Sequence, residues 1–238
     1  AANALAVLLP INGMDTGAIS DLYPSLFTPA GFTFSIWSFI YLWLLVFVVA
    51  QWFYSDRAYL KRLLRLFLLS CVANMLWIVA WHYLLPGVAL AIMLALLLTL
   101  ILIFLYMQEQ PISIKEKLLL RFPFHVYLGW ISVATLANTA AWLVSRKWEG
   151  GPITQESWTI ALLILATLLS LWMTIRFRAF FYSAVTVWAL YGISSRWKGG
   201  VHPTIASAAY YAALIIVGVI ALTTVRSLWN KTKRKAEA

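Results

Sequence analysis

Charged residues are scarce in this chain. Only 11% of its 238 residues are Asp, Glu, Lys or Arg, and 63% are hydrophobic, whereas a soluble globular domain carries about 25% charged residues. Cysteine is scarcer still, because Cys71 is the only one and it lies in an apolar run. We interpret Cys71 as a small buried hydrophobic residue. These shortages exclude a typical soluble domain and an intrachain disulfide.

Sequence motifs for catalysis and metal binding are also missing. The three histidines are scattered, with no cysteine or carboxylate near them in sequence, so no metal site is predicted. The chain has no zinc-protease motif, nucleophile elbow or phosphate-binding loop. The interiors of its apolar runs contain no Asp, Glu, Lys or Arg, which disfavours an ion-driven transporter. The sequence therefore favours a binding protein over an enzyme.

Long apolar windows predict membrane helices, since a bilayer core needs about 20 apolar residues per helix. Seven complete spans are expected, at residues 33–54, 66–84, 87–107, 122–144, 158–175, 179–195 and 204–225. Residues 1–10 are apolar but too short to cross. We expect them to be the end of a helix that begins before residue 1, giving eight helices; the alternative is that they follow a removed signal segment.

Basic residues alternate between the two sides of these predicted spans. Of the 18 Lys and Arg residues, 14 lie in the loops after the second, fourth and sixth helices (the partial helix counted as the first) and in the C-terminal tail. The positive-inside rule then predicts a multi-pass protein, expected in a bacterial inner membrane, with a cytoplasmic C-terminus. The basic tail is expected to bind anionic lipid or fix the topology. No nucleic-acid partner is predicted.

Two polar stretches organise the chain. Residues 11–32 form the longest connection and contain three Gly, two Pro and no Lys or Arg. Long loops are often functional, so this one is predicted either to cover the mouth of the helix bundle or to be a structured loop without a ligand. Residues 145–157 divide the chain into a first part at 1–147 and a second part, with three helices and the basic tail, at 148–238.

The span at 122–144 carries a stripe of aromatic and amide side chains. Trp130, Ala134, Asn138 and Trp142 recur every four residues, which on an α-helix is an advance of about 400° and so one slowly drifting face. An amide within an apolar span is costly unless it is hydrogen-bonded. Asn138 is therefore expected to have a partner, either in the protein or on a ligand.

Two other spans repeat this pattern of rings and amides. Trp37 and Tyr41 are four residues apart in one span. In the next span, Asn74, Trp77 and Trp81 lie on one helix face. For any single tryptophan the alternative is packing between helices. Together the three helices predict a dry pocket for a flat apolar ligand. The candidate ligand-binding residues are Trp37, Tyr41, Asn74, Trp77, His125, Tyr127, Trp130, Ala134, Asn138 and Trp142.

The remaining tryptophans include several near the ends of spans, where amphipathic rings settle at the membrane interface. This interpretation is given to Trp52, Trp148, Trp158, Trp197 and Trp229. The run Trp81-His82-Tyr83 is likewise expected at the outer interface.

The stripe at 122–144 resembles the TspO/MBR family, the tryptophan-rich sensory and translocator proteins. The matching positions, in register with the family's fifth-helix pattern, are Tyr127, Trp130, Ala134, Asn138 and Trp142. Weaker matches are Pro29 followed by Trp37 and Tyr41, and Asn74 with Trp77. The resemblance covers residues 1–147. It departs from the family where Ser35 and Val126 replace prolines and Ser70 replaces a glutamine.

The resemblance implies a five-helix bundle that binds tetrapyrroles and is often dimeric. The predicted fold class is thus an all-α integral membrane protein, a TspO-like bundle followed by three further transmembrane helices. The predicted function is binding of a planar hydrophobic ligand, with a porphyrin or haem-type group favoured, as a sensor, carrier or regulator. The alternative is a structural or accessory subunit of a larger membrane complex that binds pigment or lipid. The expected partners are the lipid bilayer, the hydrophobic ligand, and either a second copy of the chain or a larger membrane complex.

Overall fold

The computed structural model describes residues 11–148 and 151–236. Within these ranges the chain is helical and contains no β-strand. Its α-helices are α1 (Thr16–Asp21), α2 (Ile36–Ala50), α3 (Leu60–His82), α4 (Pro86–Gln108), α5 (Phe122–Ser145), α6 (Gln155–Phe177), α7 (Phe180–Trp197) and α8 (Pro203–Ala236). The shorter elements are 3-10 helices at Ile11–Gly13, Gly31–Ser35 and Gln51–Tyr54, a single α-helical turn at Ile114–Glu116, and a π-helix at Lys117–Arg121.

Within residues 11–148 and 151–236, six helical stretches are long and apolar enough to cross a membrane. They are Gly31–Tyr54, Leu60–His82, Pro86–Gln108, Ile114–Ser145, Gln155–Phe177 and Pro203–Asn230. The chain is therefore an all-α, multi-pass membrane protein, as the sequence predicts. The helix expected over residues 1–10 lies outside the described residues.

The predicted span at 179–195 is helix α7, which is less apolar than the six stretches above. Its hydroxyl side chains Ser183, Thr186 and Ser194 are buried inside the bundle rather than turned to lipid. A helix that packs against protein can carry polar groups that a lipid-facing helix cannot, which accounts for the lower apolarity of α7.

Helix α7 packs closely on α5 and α6. The Ser183 hydroxyl lies 2.7 Å from the Thr174 hydroxyl of α6 and donates to the Ser170 carbonyl at 3.1 Å. Against α5, a Cβ placed on Gly129 would lie 2.7 Å from the Tyr182 carbonyl oxygen. Small residues of this kind let two membrane helices approach closely. The helices before and after residue 147 therefore share a tight interface.

Glu116 joins two loops at the basic end of the bundle. Its buried carboxylate accepts hydrogen bonds from the Tyr59 hydroxyl at 2.7 Å and from the Ser113 amide at 2.8 Å, and it pairs with the Arg57 guanidinium at 3.3 Å. Burial and this carboxylate raise the pKa of the Tyr59 phenol, so the phenol stays protonated and continues to donate. The connection before α5 is thereby fixed against the loop before α3.

Candidate functional site

Tryptophans from three helices meet in the interior of the bundle. Trp37 of α2 stacks on Trp77 of α3, with ring centroids 5.7 Å apart and 30° between planes. Trp130 of α5 meets Trp37 edge-on at 6.1 Å. All three indoles are buried. The structure thus brings together the rings that the four-residue spacings place on one face of each helix.

Both polar atoms of the Asn138 side-chain amide form hydrogen bonds within the protein. Its Oδ1 accepts from Trp77 Nε1 at 3.0 Å, and its Nδ2 donates to the Ala134 carbonyl one turn earlier, also at 3.0 Å. The partner expected for this amide is therefore an indole of α3. The bond fixes the Trp77 ring against α5.

A small cavity lies beside these rings. Its volume is about 30 Å³, enough for a single water molecule. Helices α2, α3 and α5 contribute the lining residues Trp37, Trp77, Trp81, Trp130, Val133, Ala134, Ala137 and Asn138. The remaining wall comes from Thr16, Ser20, Pro29 and Phe34, which precede α2 in the chain. We call residues 11–35 the cap segment.

Five of the candidate site residues do not line this cavity. Tyr41 stacks on Trp37 at 5.4 Å, and Tyr127 is fully buried and meets Trp37 edge-on at 6.2 Å. Both support the Trp37 ring from outside the cavity. Asn74 is buried, and its Oδ1 has no hydrogen-bond partner among the described residues.

Trp142 and His125 lie at different places in the bundle. Trp142 is 37% exposed and faces Gly87 at the start of α4, beside Tyr23 and Arg146. The four-residue stripe drifts around α5, so its last member has turned away from the cavity. His125 packs on Phe104 at 5.0 Å and lines another cavity, which contains basic residues.

The sequence places Trp81 on the same helix face as Asn74 and Trp77, but the interfacial interpretation kept it out of the candidate site. The Trp81 side chain is only 3% exposed, stacks on Trp77 at 6.1 Å, and donates from Nε1 to the Thr16 carbonyl at 3.3 Å. His82 is also buried; Asn12 donates to its carbonyl, and the Thr16 hydroxyl lies 3.3 Å from its Nε2. Only Tyr83 of this run is exposed. The signal was present in the four-residue spacing of Trp77 and Trp81.

The cap segment also supplies a ring to the site. Phe34 meets Trp130 edge-on at 6.0 Å, with 82° between the planes. Edge-to-face pairs of this kind contribute about 0.5–1.5 kcal/mol beyond the area they bury. The segment therefore covers the cavity by direct contact with its central ring.

Helix α7 also holds the cap segment. Trp188 Nε1 donates to the Thr33 carbonyl at 3.0 Å, and Trp197 Nε1 donates to the Leu26 carbonyl at 2.9 Å. Arg196 pairs with Asp21 at 2.8 Å. Trp197 was predicted as an interfacial ring, yet its indole N–H anchors the cap. A helix beyond residue 147 thus helps to close the site.

The backbones of α7 and the cap segment approach very closely at Gly192. The Gly192 carbonyl accepts from the Ala30 amide at 3.0 Å, and a Cβ on Gly192 would overlap the Thr33 hydroxyl. Only glycine fits this contact.

Trp130 carries an unsatisfied donor. Its Nε1 is buried and has no acceptor within the part of the chain that the structure describes, although the ring lines the cavity. Buried indole N–H groups normally find a partner. Among the four cavity tryptophans, Trp77 and Trp81 have protein acceptors for Nε1.

A comparison of the sequence with known families matches residues 1–222 to the family described as TSPO-like protein. No curated protein and no solved structure matches the chain. The family match continues well past residue 147, where the sequence resemblance was predicted to end. Because it spans most of the 238 residues, the chain belongs to the TSPO-like protein family.

Proposed function

We propose that this membrane protein binds a planar hydrophobic ligand, with a tetrapyrrole favoured, in the cavity beneath the cap segment. Indole faces from α2, α3 and α5 offer stacking surfaces for a flat ring system. Ala134 lines the same cavity and leaves space where a larger side chain would not. Family membership supports this assignment. A sensor, carrier or regulator would each need such a site.

The unsatisfied Trp130 N–H is the observation on which the proposal depends. A buried donor without a partner costs about 1–3 kcal/mol. A ligand carbonyl or carboxylate placed beside the ring would accept this hydrogen bond and remove that cost. The donor is therefore suited to orient a ligand, whereas the Asn138 amide already serves to hold Trp77.

The cavity in its present form is too small for such a ligand. Its volume of about 30 Å³ holds a single water molecule, so a tetrapyrrole requires one wall to move. The cap segment is the wall that can move without unpacking α2, α3 and α5 from each other. Binding is then coupled to displacement of the cap from α3 and α7.

The predicted membrane orientation indicates from which side of the membrane the ligand reaches the cap segment. The cap segment lies at the ends of α3, α5 and α7 that carry few basic residues, and by the positive-inside rule those ends face away from the cytoplasm. We propose that the ligand enters from that side and that the C-terminus is cytoplasmic, as expected for a bacterial inner membrane. The dimer and the larger pigment-binding complex stay predictions.

Trp130→Phe tests the proposal, since phenylalanine keeps an aromatic ring but removes the N–H. Quenching of the tryptophan fluorescence by protoporphyrin IX measures binding to the purified protein. We expect the affinity of the Trp130→Phe variant for protoporphyrin IX to be about tenfold lower than that of the wild type, the equivalent of one hydrogen bond. The matched control is Trp229→Phe, because Trp229 is 72% exposed near the C-terminal end of α8. Equal affinities for the two variants would contradict the proposal.

A further inference from the structure

A second, larger cavity opens at the opposite, basic end of the bundle. Its volume is about 610 Å³. It lies between the connection that leads into α5 and the turn between α6 and α7. The lining residues are Ile114, Lys117, Leu118, Arg121, Phe122, His125, Phe177, Arg178, Phe180 and Phe181.

The charged residues around this cavity are all basic. Lys117, Arg121 and Arg178 line it, and none of its lining residues, all within the described ranges, is acidic. The nearest acidic residue in sequence, Glu116, is bound to Tyr59, Ser113 and Arg57. The cavity therefore presents a net positive charge of about three to any occupant.

The cations differ in how firmly they are held. Arg121 donates to the Met107 carbonyl and to Gln108 Oε1 at the end of α4, which fixes the guanidinium in place. Arg178 is exposed and donates to the Ser227 hydroxyl of α8 at 3.0 Å. Lys117 is exposed on the π-helix at Lys117–Arg121. Arg178 and Lys117 can therefore reach an anion at the mouth of the cavity without breaking the bundle.

Aromatic rings form the apolar part of the wall. Phe122 of α5 meets Phe181 of α7 edge-on at 4.4 Å, and Phe177 and Phe180 flank the α6–α7 turn. A free inorganic anion gains nothing from these four rings. An occupant with both a charged head and a hydrocarbon body would contact both parts of the wall.

His125 provides a second and independent indication of a ligand. Its side chain is more than nine-tenths buried and lines the cavity, yet Nε2 has no hydrogen-bond partner in the described chain. A buried polar nitrogen beside a cavity of this size is suited to an oxygen of a bound molecule. The sequence identified His125 as a candidate ligand contact but grouped it with the tryptophan site.

We propose that this cavity binds a phospholipid with an anionic head group. Lys117 and Arg178 hold the phosphate, Arg121 adds a fixed positive charge, and His125 Nε2 meets a glycerol or phosphate oxygen. The acyl chain lies along the phenylalanines. The location agrees with this occupant, because the surrounding loops carry most of the basic residues of the chain and so face the leaflet that contains anionic lipid.

Two double variants with the same change in net charge test the proposal. Lys117→Gln/Arg178→Gln removes two cavity cations, whereas Lys61→Gln/Lys115→Gln removes two exposed cations that do not line the cavity. The purified full chain in neutral detergent is titrated with dioleoylphosphatidylglycerol, with dioleoylphosphatidylcholine, or with inorganic phosphate. The rise in unfolding temperature reports binding to the folded protein.

We expect phosphatidylglycerol to stabilise the wild type at concentrations where phosphatidylcholine does not. The cavity double variant should bind it about 30-fold more weakly, since each basic residue near an anionic head group contributes about fivefold. The control double variant should stay within about twofold. Lys117→Gln alone should lose about fivefold, and it provides the test if the double variant is unstable without lipid.

Three outcomes would overturn the proposal. Equal stabilisation by the two lipids would exclude recognition of an anionic head group. Equal weakening in the two double variants would show that net charge, and not this cavity, attracts the lipid. Stabilisation by inorganic phosphate at the same concentration, lost in the cavity variant, would assign the site to a free phosphate instead.

Discussion

Replacing Gly129 with alanine is expected to force α5 and α7 apart and to lower the free energy of unfolding by about 2–3 kcal/mol. The new Cβ would lie 2.7 Å from the Tyr182 carbonyl oxygen and 3.1 Å from the Tyr182 Cα. Both are backbone atoms and cannot rotate away as a side chain would, so one helix must move. Overpacking of this kind costs about 1–3 kcal/mol, and a backbone contact should lie at the upper end.

Thermal unfolding in detergent measures this effect, with Gly218→Ala in α8 as the matched control. A Cβ at Gly218 meets no atom within 4 Å, so that substitution should change stability by less than about 1 kcal/mol. We expect a loss of about 5 °C or more for Gly129→Ala. Equal unfolding temperatures for the two variants would show that the α5–α7 contact is looser than described.

Replacing Gly192 with alanine is expected to lift the cap segment from α7. A Cβ there would overlap the Thr33 hydroxyl and would lie 2.9 Å from Thr33 Cγ2. Because the cavity is closed by the cap, a larger open fraction should speed ligand entry. We expect the association rate of protoporphyrin IX to rise about tenfold, the equivalent of about 1.4 kcal/mol in favour of the open form. Stopped-flow quenching of tryptophan fluorescence measures this rate.

A second substitution at the same contact provides the control. Thr33→Ala removes the hydroxyl and Cγ2 and leaves Thr33 Cβ at 3.0 Å from the new methyl group, so the double variant should return the rate most of the way to wild type. Amide hydrogen exchange over residues 11–35 should increase in Gly192→Ala and fall again in the double variant. An association rate unchanged by Gly192→Ala, despite faster exchange in the cap, would show that the cap does not limit ligand entry.

The sequence alone predicted the parts of the fold that depend on local pattern. Apolar windows located the helices, and the four-residue spacing on α5 placed Trp130, Ala134 and Asn138 beside one cavity. The same spacing could not show where the stripe leaves the cavity, because that depends on how α5 crosses α4. Trp142 therefore contacts Gly87 rather than a ligand pocket.

Contacts between distant parts of the chain could not be predicted. Trp81 looks like an interfacial residue by position, and the Thr16 carbonyl that accepts its N–H lies 65 residues away in the chain. Trp197 also looks interfacial by its position at the end of a span, yet its indole N–H donates to the Leu26 carbonyl. The role of α7 also depends on long-range packing, because its polar residues face other helices rather than lipid. The cap segment folding back onto the helices decides the first two cases, and packing between helices decides the third.

Fluorine NMR of the protein labelled with 5-fluorotryptophan tests the central claim most directly. Single Trp→Phe variants assign the resonances, and protoporphyrin IX is then titrated. A porphyrin in the proposed site should shift the signals of Trp37, Trp81 and Trp130, whose rings line the cavity, and leave those of Trp52 and Trp229 unchanged. Shifts confined to Trp52 and Trp229, with the cavity tryptophans unaffected, would contradict the account.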